Sequence, residues 1–350
     1  MKIGIVGLPG AGKTTIFNAL TGNAADTSAY STGSKEPNLA VVKVPDDRLE
    51  TLSKMYNPKK TTHAQVEYVD VAGTVSVKEH EQKGSLDKFL TLLRPVDAIL
   101  HVVRGFELHG TQPTPQQDID NFEAELVLAD LIIAEKRLER LEKEVKKGKK
   151  GDPRELELLE QAVDILNQGK PLRPYPELAN APELKGYAFL SAKPCIAVLN
   201  IGDDTDYGEH KITPPENVPL LEIKGRLEME LSELSEEEAE EFRKDLNISE
   251  PATFQLIRTS HQLLGLISFF TVGEDEVRAW NIKKGTIAQK AAGVIHTDIE
   301  RGFIRAEVVA YDDLIEAGNY ANAQKAGKVR LEGKEYIVQD GDIINFRFNV

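Results

Sequence analysis

The chain has 350 residues, with 43 Lys and Arg against 57 Asp and Glu and a formal net charge of −14. That length suggests two or three domains with ample core. The acidity argues against a chain that coats nucleic acid, DNA included, though it leaves room for a local basic patch. The single cysteine, Cys195, excludes an intramolecular disulfide and a cysteine-based metal cluster. Its place in the run Cys195-Ile-Ala-Val-Leu predicts a buried, inert thiol. Apolar runs fall short of membrane-spanning length, and Met1 leads straight into a strand with no signal peptide. The expectation is a cytoplasmic protein with no membrane partner.

Met1 to Val6 (MKIGIV) reads as a short buried strand. Gly7-Leu8-Pro9-Gly10-Ala11-Gly12-Lys13-Thr14 follows and matches G-x-x-x-x-G-K-[ST]. Thr15 to Leu20 continues as a helix. The loop therefore joins a strand to a helix N-terminus, where free N–H groups and the helix dipole favour an anion. In this motif Lys13 reaches the β- and γ-phosphates, and the Thr14 hydroxyl ligates Mg²⁺.

Gly22 to Asn38 is rich in Gly, Ser, Thr, Ala and Asn and reads as a mobile surface loop. Thr32 and Ser34 are candidates for a second Mg²⁺ hydroxyl; incidental hydroxyls on a solvated loop fit the composition equally well. Leu39 to Val44 and Gln65 to Val71 predict strands, with a short Asp-capped helix over Asp46–Met55 between them. The second strand ends in Asp70-Val71-Ala72-Gly73. An acidic residue closing a strand, followed by Gly, is the Walker-B and switch arrangement. Asp70 would hold Mg²⁺ through water, and the Gly73 N–H would meet the γ-phosphate. Signalling GTPases place a water-orienting Gln next. Here Thr74 stands there, so hydrolysis should be slow or should recruit another group. His80, Glu81 and Lys83 are within reach in sequence, and are otherwise solvated loop residues.

Val96 to Arg104 predicts the next buried strand. Phe122–Glu144 and Arg154–Gln168 carry helical periodicity, separated by Lys146-Lys-Gly-Lys-Lys-Gly-Asp-Pro. They predict an antiparallel hairpin with a basic tip, either an arm that meets phosphates or a plain solvated turn. Lys193 to Asn200 is a strand ending in Asn. Guanine readers continue N-K-x-D; this chain has Asn200-Ile201-Gly202-Asp203. Ser191-Ala192-Lys193 looks like the guanine motif S-A-K but precedes the Asn strand, and is read as a decoy. A last strand over Val218–Ile223 leads into Lys224-Gly225-Arg226. The core is an α/β G-domain with an altered base reader. Beyond Trp280, strand-like runs at Thr286–Ala288, Phe303–Val309, Lys328–Leu331, Tyr336–Val338 and Ile343–Phe348 suggest a small β-grasp-like domain. From Gly273 onward there are 11 Lys and Arg against 13 Asp and Glu, so this part is the better candidate for an RNA-facing surface. His296, Asp298 and Glu300 have no accompanying nucleophile, which favours a structural or binding role.

These residues resemble the Obg-like, YchF-type ATPases, end to end. The resemblance rests on Glu36-Pro37-Asn38, Val44-Pro-Asp-Asp-Arg-Leu49, Asp70-Val-Ala-Gly73, Leu263-Leu-Gly-Leu266 and Val277-Arg-Ala-Trp280. It rests above all on Ile295–Val308, Gly327–Tyr336 and Asp340–Val350. It implies a P-loop G-domain (1–121 and 173–272), an inserted coiled-coil hairpin (122–172) and a C-terminal TGS domain (273–350). It also implies Mg²⁺-dependent hydrolysis of ATP in preference to GTP. The implied partner is the ribosome or its large subunit, met through the hairpin and TGS domain. The family's nucleotide contacts fall on Gly10, Ala11, Gly12, Lys13, Thr14 and Thr15, with Asn200, Ile201 (through its backbone) and Asp203 at the base. Its metal set falls on Thr14, Ser34 and Asp70, with Lys13 and Gly73 as the catalytic groups. Ser34 stands for the family's threonine, the segment Ser76–Asp87 lacks most of its glycines, and Asp203 replaces a usual Glu. A carboxylate at 203 could still read guanine, so a GTPase of the same architecture is one alternative. A nucleotide-sensing binding protein with negligible turnover is another.

Overall fold

Short apolar runs build the first sheet of the computed structural model, which describes residues 1–24, 38–71, 90–146, 152–206 and 208–349. Its strands are β1 (Lys2–Val6), β2 (Asn38–Lys43), β4 (Gln65–Asp70), β5 (Ala98–Gly105), β6 (Cys195–Ile201) and β7 (Leu220–Ile223). They lie in the order β2-β4-β1-β5-β6-β7. β1 is parallel to both β4 and β5, β5 to β6, and β6 to β7. The inner strands β5 and β6 are apolar almost throughout and buried along nearly their whole length, as a parallel strand covered on both faces must be. Contacts divide the chain into two units: Met1–Val41 with Glu67–Leu256, and Val42–Val66 with Ile257–Val350.

In the first unit, helix α1 (Lys13–Ala24) follows the P-loop and helix α3 (Pro115–Lys146) follows β5. α3 does two jobs with two stretches. Ile119, Phe122 and Leu126 pack into the sheet's core, which is why the helix starts earlier than its periodicity predicts. Val127, Ala134 and Leu141 pack instead on α4 (Pro153–Asn167), against Leu158, Leu159 and Leu166. Asp152 caps α4 by accepting from the Arg154 N–H at 2.9 Å, with Pro153 in its first turn. Near the start of the second stretch, the fully buried Asp130 accepts from the N–H groups of Leu190 (2.9 Å) and Ser191 (2.6 Å). Lys193 donates to the Val96 carbonyl at 2.6 Å. The S-A-K triplet is thus tied to α3 through Ser191 and to the residue before β5 through Lys193. Downstream come α5 (Pro176–Ala179), α6 (Gly225–Ser232), α7 (Glu236–Asp245) and α8 (Ala252–Leu263). Glu228 of α6 caps α8, accepting from the Ala252 N–H at 2.8 Å and the Thr253 hydroxyl at 3.0 Å.

The second unit is built on a mixed sheet of β3 (Lys60–Thr62), β8 (Leu266–Thr271), β9 (Glu276–Lys283), β10 (Phe303–Ala310), β11 (Arg330–Glu332) and β12 (Asp342–Phe348). Its order is β11-β10-β12-β8-β9-β3. β8 and β9 are antiparallel, while β3 adds parallel to β9 with Lys60 opposite Glu276. The boundary expected at residue 273 therefore falls between two paired strands, and residues 42–66 share this unit's contacts. Helix α2 (Asp47–Tyr56) buries Leu49 and Leu52, and Asp46 caps it by accepting from the Arg48 N–H at 3.0 Å. The Arg48 guanidinium grips Asp46 (2.8 Å) and Asp340 (2.8 Å).

Two strands expected here are absent. Residues from Ala288 form helix α9 (Ala288–Ile295), because Ala288, Ala291 and Ala292 recur at helical spacing and are all buried. Tyr336–Val338 contributes only an isolated bridge, between Ile287 and Ile337. The remaining helices are α10 (Thr297–Arg301), α11 (Tyr311–Ala317) and α12 (Tyr320–Lys325). His296 is the α10 cap, its Nδ1 accepting from the Asp298 N–H at 3.2 Å, while Glu300 pairs with Lys290 at 2.6 Å. His296 and Glu300 thus hold local structure around α10.

Candidate functional site

The loop between β1 and α1 is shaped by two glycines that no other residue could replace. Gly7 has φ +149°, and a Cβ there would sit 2.2 Å from the Val102 carbonyl oxygen. Gly12 has φ +88°, and its Cβ would sit 2.1 Å from Asn200 Nδ2. The Ala11 N–H donates to Leu8 O at 3.2 Å to close the turn, and the Ile16 N–H donates to Gly12 O at 2.9 Å to start the helix. Lys13 Nζ donates to Gly7 O (3.0 Å) and Leu8 O (2.9 Å), so the ammonium lies across the loop's mouth. Burial lowers its pKa, and the negative charge of Asp70 partly offsets that. The first turn of α1 carries no acidic side chain, which leaves its positive dipole end for an external anion.

Asp70 closes β4 opposite Ile5 of β1 and is 3% exposed. Thr14 is exposed in the first turn of α1. Asn200 is the penultimate residue of β6 and ties three segments together. Its Nδ2 donates to Ala11 O at 3.0 Å, and its Oδ1 accepts from the Gly225 N–H at 3.1 Å. Ile201 is buried at 2% exposure, so only its backbone can face a ligand. Lys224 Nζ donates to the Asp203 carbonyl at 2.8 Å, holding the 200–203 turn. Gly10, Ala11, Gly12, Lys13, Thr14, Thr15 and Asp70 therefore gather with Asn200, Ile201 and Asp203 around one end of the sheet. Ser34, Gly73 and Thr74 lie outside the described residues, as do Thr32, His80, Glu81, Lys83 and the hairpin tip from 147 to 150.

Residues 2–139 match the family model described as 50S ribosome-binding GTPase, and residues 266–349 match the model of the YchF GTPase C-terminal domain, described as a protein of unknown function. The ribosome-binding ATPase YchF of Bacillus subtilis is 43% identical, with all of both chains covered. That of Escherichia coli O157:H7 is 39% identical, covering 100% of this chain and 99% of its own. The chain belongs to the YchF family. The solved structure of the Schizosaccharomyces pombe YchF GTPase agrees, with a TM-score of 0.85 at 31% identity over 99% of this chain and 97% of that one.

Within this YchF chain two features of the site escape a reading of the sequence. One is the bracket at Gly225, for which the only signal is a glycine two residues after β7. The other is His101, which sits in β5 opposite Val6 at 3% exposure. Its ring centroid is 4.1 Å from that of Phe122 on α3. Burial, with Lys13 nearby, pushes its pKa down to about 3, so the ring is neutral at physiological pH. The signal for it is a histidine in the middle of a strand whose other interior residues are apolar. Among the described residues, no helix is long and apolar enough to cross a membrane.

Proposed function

We propose that this YchF-family chain is a Mg²⁺-dependent P-loop ATPase that hydrolyses ATP slowly to ADP and phosphate and associates with the ribosome. The observation that carries the nucleotide reading is the Asn200 bracket, which supports a single site running from the phosphate loop to the 200–203 turn. Lys13, Thr14, Thr15 and the loop N–H groups from Gly10 to Gly12 would bind the phosphates. The base would meet the Ile201 backbone and Asp203. The missing Lys after Asn200, with Ile201 turned into the core, removes the side chain that stacks on guanine and favours adenine.

The residues present fit Mg²⁺. Thr14 offers a hydroxyl at the helix start and Asp70 a buried carboxylate at the strand end, a hard-oxygen set suited to an ion that completes its shell with phosphate and water. Among the described residues no three His, Cys, Asp or Glu converge as a cage. A metal held at Thr14, Ser34 and Asp70 would supply charge neutralisation at the phosphates, with Lys13 and the Gly73 N–H as the protein's own stabilising donors. The Thr74 position favours slow turnover. The chain's similarity to the ribosome-binding ATPases supports ribosome association. We assign the partner to the large subunit and its docking to the hairpin (122–172) and C-terminal domain (273–350), with the nucleotide on 1–121 and 173–272.

Competition between ATP and GTP for the purified protein tests the base. ATP should bind more tightly, and tighter GTP binding would overturn the assignment in favour of a GTPase. Single-turnover phosphate release with and without ribosomes tests the chemistry. A measurable rate that Lys13→Ala abolishes is expected; no release in either condition leaves a nucleotide-sensing binding protein.

A further inference from the structure

Helix α3 carries a second apolar face besides the one buried on α4. Leu128 and Ile132, one helical turn apart, are 56% and 58% exposed. Glu125, Glu135, Glu139 and Glu142 recur on the same side at helical spacing. Toward α4 this face deepens into a groove of about 470 Å³. Its apolar floor is Ile132, Leu138 and Val163, and its rim is Glu135, Glu139 and Glu142 with Lys136. Lys143 lies one turn beyond and is paired with Glu139. Together these side chains make one apolar strip along the helix pair.

The charge on the rim decides what kind of partner fits. Glu135, Glu139 and Glu142 against Lys136 and the Glu139-paired Lys143 leave the face net acidic, which would disfavour a phosphate backbone and favour lysine and arginine. The apolar strip, narrow and running along a helix pair, suits a helix that lays i, i+3, i+4 residues into it. We propose that this face of α3 docks a basic amphipathic helix of a ribosomal protein, and not ribosomal RNA. The inference rests on the ribosome association proposed above, and it gives the shaft of the hairpin a partner different in kind from anything a basic tip would choose.

Co-sedimentation of the full chain with ribosomes tests it, using Glu135→Lys/Glu139→Lys and Ile132→Glu. Each variant should bind ribosomes about tenfold more weakly or worse, as expected for the centre of an interface. Each should keep wild-type ATP affinity, which controls for folding. In parallel, Leu128→Cys carrying a benzophenone should cross-link on ribosomes to a protein, giving a product that protease destroys and ribonuclease does not. Unchanged sedimentation of the variants overturns the inference. So does cross-linking to RNA, cross-linking to a second copy of the chain, or sedimentation without any cross-link. If the wild-type chain itself fails to sediment, the ribosome association falls first and takes this docking surface with it.

Discussion

At the residue scale the site is governed by backbone geometry that one methyl group would spoil. Gly12→Ala must place its Cβ against the Asn200 amide in a left-handed conformation. We expect it to cost about 1–3 kcal/mol of stability and most of the nucleotide affinity, read by chemical denaturation and calorimetric titration. Wild-type affinity in that variant would show that the bracket is dispensable. His101 makes a second prediction, in pH. Its ring is neutral in the fold with a pKa near 3, and protonates near 6.5 when the chain unfolds. The unfolded state therefore binds the extra proton, and stability present above pH 6.5 is lost as pH falls toward 3. His101→Leu should flatten that stretch of the stability curve by on the order of a few kcal/mol; an unchanged slope would place the titration elsewhere. The shape of the loop between β1 and α1 was legible in the sequence because its motif is a constraint on geometry as well as on letters. His101 was not, since nothing in a one-dimensional apolar run says which strand residue lies beneath the P-loop.

Elements differ in how much of themselves they reveal. The hairpin was visible because two long amphipathic runs can hardly be anything else, and only its start was misplaced, since Ile119 and Phe122 serve the sheet's core rather than α4. Its anchorage was invisible. Asp130 reads as one more acidic residue on a helix, yet it is fully buried and holds the Leu190 and Ser191 N–H groups, with Arg94 at 3.8 Å. Asp130→Ala would leave two buried N–H groups unpaired, and should cost about 2–5 kcal/mol in a denaturation experiment, against under about 0.5 kcal/mol for Glu139→Ala on the exposed face. Comparable losses at the two sites would contradict the role given to Asp130. In the second unit the same lesson ran the other way. Thr286–Ala288 looked strand-like, but three buried alanines at helical spacing outweighed local β propensity, a tertiary choice the local sequence cannot show.

For the whole molecule, the informative feature is the excursion of residues 42–66 into the second unit. No sequence pattern announces it: β3 is three residues long, and its partner β9 begins more than 200 positions later. A fragment ending at Leu256 should therefore leave Leu49 and Leu52 without their surroundings. We expect limited proteolysis to cut that fragment within 42–66 while the full chain resists, and supplying 257–350 as a separate chain to restore protection. Equal resistance of the fragment would show that 42–66 is held by other means. The same excursion bears on how the protein is made. At roughly 5–20 residues per second, about 10–40 seconds separate the synthesis of residue 66 from that of residue 257. During that interval α2 and β3 exist with their apolar side chains and strand edge uncommitted, while the segments flanking them already belong to the P-loop sheet. A newly made chain thus has the whole first unit once Leu256 is added while the second still waits for its larger part, and residues 42–66 are where a chaperone would find it.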